Sequence, residues 1–112
     1  MRNKIGMGHD RQDKSLSLLE KQVEQALVKA VRKRGGIAMK FVSPAYDGMP
    51  DRIVLIPDGH FAFVEVKAPG KKPRSLQLSR HRLLRQLGFQ VYVLDSVEKV
   101  GDILKAIGGK EA

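Results

Sequence analysis

The stretch Asp51-Arg52-Ile53-Val54-Leu55-Ile56-Pro57-Asp58-Gly59-His60-Phe61-Ala62-Phe63-Val64-Glu65-Val66-Lys67 decides the fold. Two runs rich in Ile, Val and Phe flank Pro-Asp-Gly, which is the pattern of a β-hairpin. A three-residue loop suits this turn. Pro57 fixes φ at the first turn position and Gly59 supplies a left-handed residue. Ile56 then opposes His60, and the same register sets Asp51 opposite Glu65, on one side of the sheet. By period two, Phe61, Phe63, Glu65 and Lys67 share that side with Asp51, Ile53 and Leu55, while Ala62, Val64 and Val66 take the other. The shared side is thus apolar at the turn and ends in Asp51, Glu65 and Lys67. Opposed carboxylates repel, and a divalent cation between them would convert that cost into binding. Two other readings remain. Glu65 and Lys67 can be ordinary charges on an edge strand, and a two-residue Asp58-Gly59 turn would move Asp51 to the opposite side.

Before the hairpin, Ser17-Leu18-Leu19-Glu20 has capping-box spacing, and Leu19, Val23, Ala26, Leu27, Ala30 and Val31 recur at helical steps. That helix should start at Ser17 and end in Arg32-Lys33-Arg34 before Gly35-Gly36. Residues 1–14 are polar and basic, carry no apolar signal core and read as a mobile arm ahead of a single domain over 15–112. Ile37 to Val42 reads as a strand, and Ser43 to Pro50 as a loop. After the hairpin come a basic loop to Arg74, a helix capped by Ser75 and ended by Gly88, a strand Phe89 to Leu94 and a helix Val97 to Ile107 capped by Ser96. The expectation is an α/β domain with a mixed central sheet flanked by helices, its last strand arriving parallel through a helical crossover. Glu24 borders the apolar stripe of the first helix, and Glu20, one turn earlier, competes with it for any role at the sheet.

Composition narrows the function. The 112 residues carry 21 Lys plus Arg against 12 Asp plus Glu, a formal charge of +9, which favours a polyanionic partner. No apolar run approaches the roughly 20 residues of a membrane span. The absence of cysteine excludes disulfides, zinc fingers and cysteine nucleophiles. His9, His60 and His81 are scattered and read as surface residues. With no Trp and 5% aromatic residues, stacking platforms for single strands look poor, and duplex backbone recognition fits better.

Gly48-Met49-Pro50-Asp51, Phe63-Val64-Glu65-Val66-Lys67 and Gln77 together resemble the VRR-NUC nucleases, of the PD-(D/E)XK or restriction-endonuclease-like superfamily. The likeness extends through Pro69-Gly70 and Val91-Tyr92-Val93, about Lys21 to Val100. It implies an αβββαβ core with an extra C-terminal helix. It implies Asp51, Glu65 and the Val66 carbonyl as metal ligands, Glu24 as the helix carboxylate completing the site, Lys67 at the attacking water and Gln77 beside it. It implies Mg²⁺, with Mn²⁺ able to substitute, and hydrolysis of phosphodiesters. Lys71, Lys72, Arg74, Ser75 and Arg52 would then contact DNA, with Arg80, Arg82, Arg85 and Lys40 nearby. Small stand-alone members resemble phage and bacterial junction nucleases, which implies a cytoplasmic homodimer acting on branched DNA, first of all four-way (Holliday) junctions in DNA repair. Its twofold contact would lie on the last strand or helix. A flap or RNA nuclease with the same site, and a non-catalytic DNA-binding module, are the alternatives.

Overall fold

A computed structural model describes residues 2–108, with side chains from residue 15 onward. The elements are α1 (Arg2–Lys33), β1 (Ile37–Lys40), β2 (Arg52–Ile56), β3 (His60–Val66), α2 (Ser75–Gln86), β4 (Val91–Leu94), a 3-10 turn (Val97–Lys99) and α3 (Val100–Ile107). The sheet order is β1-β2-β3-β4. β1, β2 and β3 are antiparallel neighbours, and β4 joins β3 in parallel after the α2 crossover. This is the mixed α/β sheet with flanking helices that the sequence indicates.

The hairpin has the expected register, with Ile56 opposite His60 and Arg52 opposite Val64. Its loop differs in one respect. Asp58 as well as Gly59 is left-handed, at φ 75° and 78°. Aspartate tolerates that region because its short side chain can bond locally.

The two sheet faces divide as the period-two pattern requires. Val54, Ile56, Ala62, Val64, Val66 and Leu94 pack with Val23, Leu27 and Val31 of α1 and with Val100, Ile103, Leu104 and Ile107. The other face sets Phe63 and Val91 against Leu84 of α2, with Phe41, Met49, Ile53 and Phe61 around them. Phe61, Phe63 and Phe89 meet edge to face, which suits the ring quadrupoles.

Three helix starts are corrected. α1 runs back past Ser17 to Arg2, so residues 2–14, which the sequence sets apart as an arm, continue the same helix. No proline stands between Arg2 and Lys33 to stop it. Ser75 is the first helical residue of α2 rather than its cap. Arg74 takes that place, extended at φ −73° and ψ 165°. Its N–H is met by Gln77 Oε1 at 2.9 Å, the reach-back half of a capping box. Ser96 opens a 3-10 turn without a side-chain cap bond, and the last α-helix begins only at Val100.

α1 ends where the glycines require. Gly35 has φ 83°, and Gly36 N–H returns 2.9 Å to the Val31 carbonyl. Gly36 also lies against β2, where an added Cβ would stand 2.2 Å from the Leu55 oxygen. Gly36→Ala must therefore push α1 off the sheet edge. A loss of roughly 2–4 kcal/mol is expected, as for other overpacking at fixed backbone. Urea denaturation of the two proteins measures it, and a change under ~0.5 kcal/mol would contradict this packing.

Candidate active site

The hairpin register carries Asp51 and Glu65 past the last paired residues of β2 and β3 to the end of the sheet away from the turn. Val66 N–H donates to Asp51 Oδ1 at 3.0 Å, which ties the Asp51 carboxylate across to the Glu65 strand. Phe41 N–H in turn holds the Asp51 carbonyl at 2.9 Å. Glu65 is 2% exposed. Its Oε2 accepts from Gln77 Nε2 at 2.9 Å and lies 3.6 Å from Lys67 Nζ. Its Oε1 is buried without a protein hydrogen-bond partner.

Gln77 explains why α2 matters here. As the third residue of α2 it spends its oxygen on the Arg74 N–H, and this turns its amide nitrogen to Glu65. The same bond holds the start of the helix, and with it the exposed Lys71, Lys72, Arg74 and Ser75, beside the carboxylates.

Burial, and then the neighbouring Asp51 charge, push Glu65 up to about 7, against the favourable influence of Lys67. Asp51 is also raised, chiefly by burial, although the Val66 N–H opposes it. Two adjacent carboxyls that resist ionisation form a site prepared for positive charge.

Geometry separates the two glutamates of α1. Glu24 Oε2 lies 2.7 Å from Arg52 Nη2, and Arg52 Nη1 donates to the Ala38 carbonyl at 2.9 Å. Arg52 is 8% exposed and stands on the α1 side of the sheet. The reading of Arg52 as a DNA contact is therefore corrected. Its position opposite Val64 turns it into the protein, where it satisfies Glu24. Glu20, exposed and one turn earlier, raises both Asp51 and Glu65. Glu24 has only the last and smallest influence on Asp51. Among the described residues no three His, Cys, Asp or Glu side chains converge as a ready-made metal cage. The pair Asp51 and Glu65, with an unpartnered buried oxygen, still suits a hard cation that keeps most of its waters.

Four further basic residues are placed. Arg80 spans a loop rather than facing solvent. Its Nε donates to the Asp47 carbonyl at 2.7 Å, and its guanidinium lies 3.8 Å over the Tyr46 ring. It thereby holds the loop that leads into Met49-Pro50-Asp51. Arg85 donates to the Val91 carbonyl at 2.8 Å. Arg82 and Lys40 remain exposed.

Sequence reasoning missed His81, which is 1% exposed against Glu65 rather than on the surface. The available signal was its spacing. His81 follows Gln77 by one helical turn and must share its face. The side chain of His9 lies outside the described residues.

The VRR-NUC domain family model matches residues 9–98. "Putative nuclease p44" of Acyrthosiphon pisum secondary endosymbiont phage 1 is 53% identical over 88 residues, spanning 79% of this chain and 94% of that protein. This chain belongs to the VRR-NUC nuclease family. A solved VRR-NUC domain superposes with a TM-score of 0.72 at 30% identity, covering 77% of this chain and 94% of that one. The family assignment and the buried carboxylate pair thus rest on independent observations.

The raised Glu65 has a cost in stability whose sign is fixed. Near pH 4.5, the ordinary value of this carboxyl, its titration begins in the unfolded chain, while the folded chain keeps the proton to about 7. Between those limits the native state binds more protons, so stability falls as pH rises, by about 3 kcal/mol in all. Without divalent cations, Glu65→Gln is expected to raise Tm at pH 8 and to leave it nearly unchanged at pH 4.5. A Tm lowered at pH 8 would show that the carboxylate stabilises the apo fold.

Proposed function

We propose that this chain is a divalent-cation-dependent endonuclease that hydrolyses phosphodiesters in branched duplex DNA, with the four-way junction as its first substrate. The observation that carries the reading is the pair of buried Glu65 and half-buried Asp51, opposed by the hairpin register and short of positive charge. A pure DNA-binding module gains nothing from such a pair beside its basic loop, since it would repel the phosphates.

In this reading Asp51, Glu65 and the Val66 carbonyl hold Mg²⁺ or Mn²⁺, and Glu20 rather than Glu24 supplies the helix carboxylate. Held there, the cation would supply charge neutralisation of the phosphodiester and a lowered pKa for bound water. The chain's own residues do the rest. Gln77 fixes one oxygen of Glu65, leaving the other to the site. Lys67 brings an ammonium to the same carboxylate, where it can orient the attacking water and meet charge growing on phosphorus. Lys71, Lys72 and Arg74 grip the backbone as point charges and forks, and the free N–H groups at Ser75 favour an anion there. These contacts carry no sequence information, and the chain has little surface left for a separate reading module, so shape is what it reads.

A branched substrate suits a twofold assembly of two sites. The helix expected at its interface is corrected in part. Val100, Ile103, Leu104 and Ile107 of α3 are consumed by the core. Ile37, Met39 and Val42 along β1 are exposed and offer apolar surface instead. Sedimentation equilibrium reports the assembly. No helix among the described residues is long and apolar enough to cross a membrane.

The test is cleavage of labelled four-way junction, flap, linear duplex and RNA substrates with Mg²⁺, beside EDTA. Asp51→Asn, Glu65→Gln and Lys67→Ala should each lower junction cutting at least ~100-fold while binding without metal persists, as expected when groups acting in the transition state are removed. Glu20→Gln should lower cutting more than Glu24→Gln does. Full cutting by Glu65→Gln would overturn the site, and faster cutting of flaps or RNA would reassign the substrate.

A further inference from the structure

His81 has no part in the chemistry so far, yet it is the most deeply buried polar residue beside the carboxylates. It is 1% exposed, and neither ring nitrogen has a hydrogen-bond partner. Its Nε2 stands 3.6 Å from Glu65 Oε1, which is itself unpartnered. Buried polar atoms go unpaired in only a small minority of cases. Here two such atoms face one another across a gap a few tenths of an ångström longer than a good hydrogen bond. The opposite oxygen, Oε2, already receives Gln77 Nε2 at 2.9 Å, from one turn earlier on the same helix.

We infer that His81 is a positioning residue for Glu65, its Nε2–H closing on Oε1, so that Gln77 and His81 each hold one carboxylate oxygen. The inference rests on the reading of Asp51 and Glu65 as a cation site. Gln77 supplies a single hydrogen bond to Oε2, while Oε1 is buried with no donor of its own. A second donor at Oε1 satisfies that buried oxygen and restrains the carboxylate through both of its oxygens before the cation arrives. Partners of this kind typically change metal affinity by about 10- to 100-fold. An imidazole with one N–H that faces an acceptor oxygen carries the proton on the facing nitrogen, which here is Nε2.

Two measurements decide it. On the wild-type protein, long-range ¹H–¹⁵N correlations of the imidazoles are recorded at pH 8 with and without Mg²⁺. The proton of His81 should sit on Nε2 in the Mg²⁺-bound protein. A proton on Nδ1, or a metal-coordinated Nε2, would overturn the inference. Second, Mn²⁺ binding is titrated by calorimetry without DNA. His81→Leu should weaken it by about 10- to 100-fold. His81→Gln, whose amide reaches the Nε2 position, should recover most of the loss, and His81→Asn should not. Equal affinity in wild type and His81→Leu would overturn the role of His81 alone. A wild type that binds neither Mn²⁺ nor Mg²⁺ would overturn the cation site itself, and His81 with it. Should His81→Leu fail to fold, the spectra of the wild type still decide.

Discussion

Everything at this site depends on the register of one hairpin. Side chains alternate across a sheet, so a slip of one residue between β2 and β3 would exchange every inward group for an outward one. The left-handed pair Asp58-Gly59 closes the turn at one length, and Ile56 meets His60. From that contact alone Glu65 falls on the face toward α2, and Asp51 falls opposite it. The phenylalanines nearer the turn build the floor on which α2 rests. The helix begins where that apolar floor gives way to carboxylates.

Asp51 and Arg52 show what this alternation separates. They are neighbours in the chain and point to opposite sides of the sheet. Arg52 finds Glu24 and the Ala38 carbonyl, so its buried charge is paired and hydrogen-bonded. Asp51 finds backbone N–H groups, chiefly that of Val66, and a second carboxylate. Leaving a buried charge short of partners costs far more than the net gain of a surface pair. The arginine side is paired with an opposite charge, and only its Nε lacks a partner, whereas the carboxylate side sets like charges together.

Much of this was legible in the sequence, and for definite reasons. Hairpin register follows from turn chemistry and period two, both local, so Asp51, Glu65 and Lys67 could be brought together from residues alone. The parallel β4 followed from the length and periodicity of the α2 crossover. Contacts between elements were less accessible. Whether an arginine faces phosphate or pins a loop depends on what lies across from it. Arg80 and Arg52 were thus read as part of a basic surface when they fasten Asp47 and Glu24. Helix starts also escaped, because Ser17 and Ser75 have capping chemistry but the chain continues or begins its helix elsewhere. His81 was hidden for want of a partner: its one-turn spacing from Gln77 has meaning only once Gln77 is known to face Glu65.

The placement of the helix carboxylate follows from the same constraint. α1 packs on the sheet face opposite to α2, so a side chain from it can approach Asp51 and Glu65 only around the open end of β2 and β3. Val23, Leu27 and Val31 fix which stripe of α1 lies against the sheet. Glu24 lies over the sheet within reach of Arg52, and their ion pair holds it there. Glu20 is four residues earlier, about 6 Å along the helix axis on the same side. That step carries it toward the end of the paired strands, where its charge raises both Asp51 and Glu65. One turn of helix therefore separates a glutamate that secures the sheet from one whose charge reaches the carboxylate pair, and the two cannot exchange places without moving α1 on the sheet.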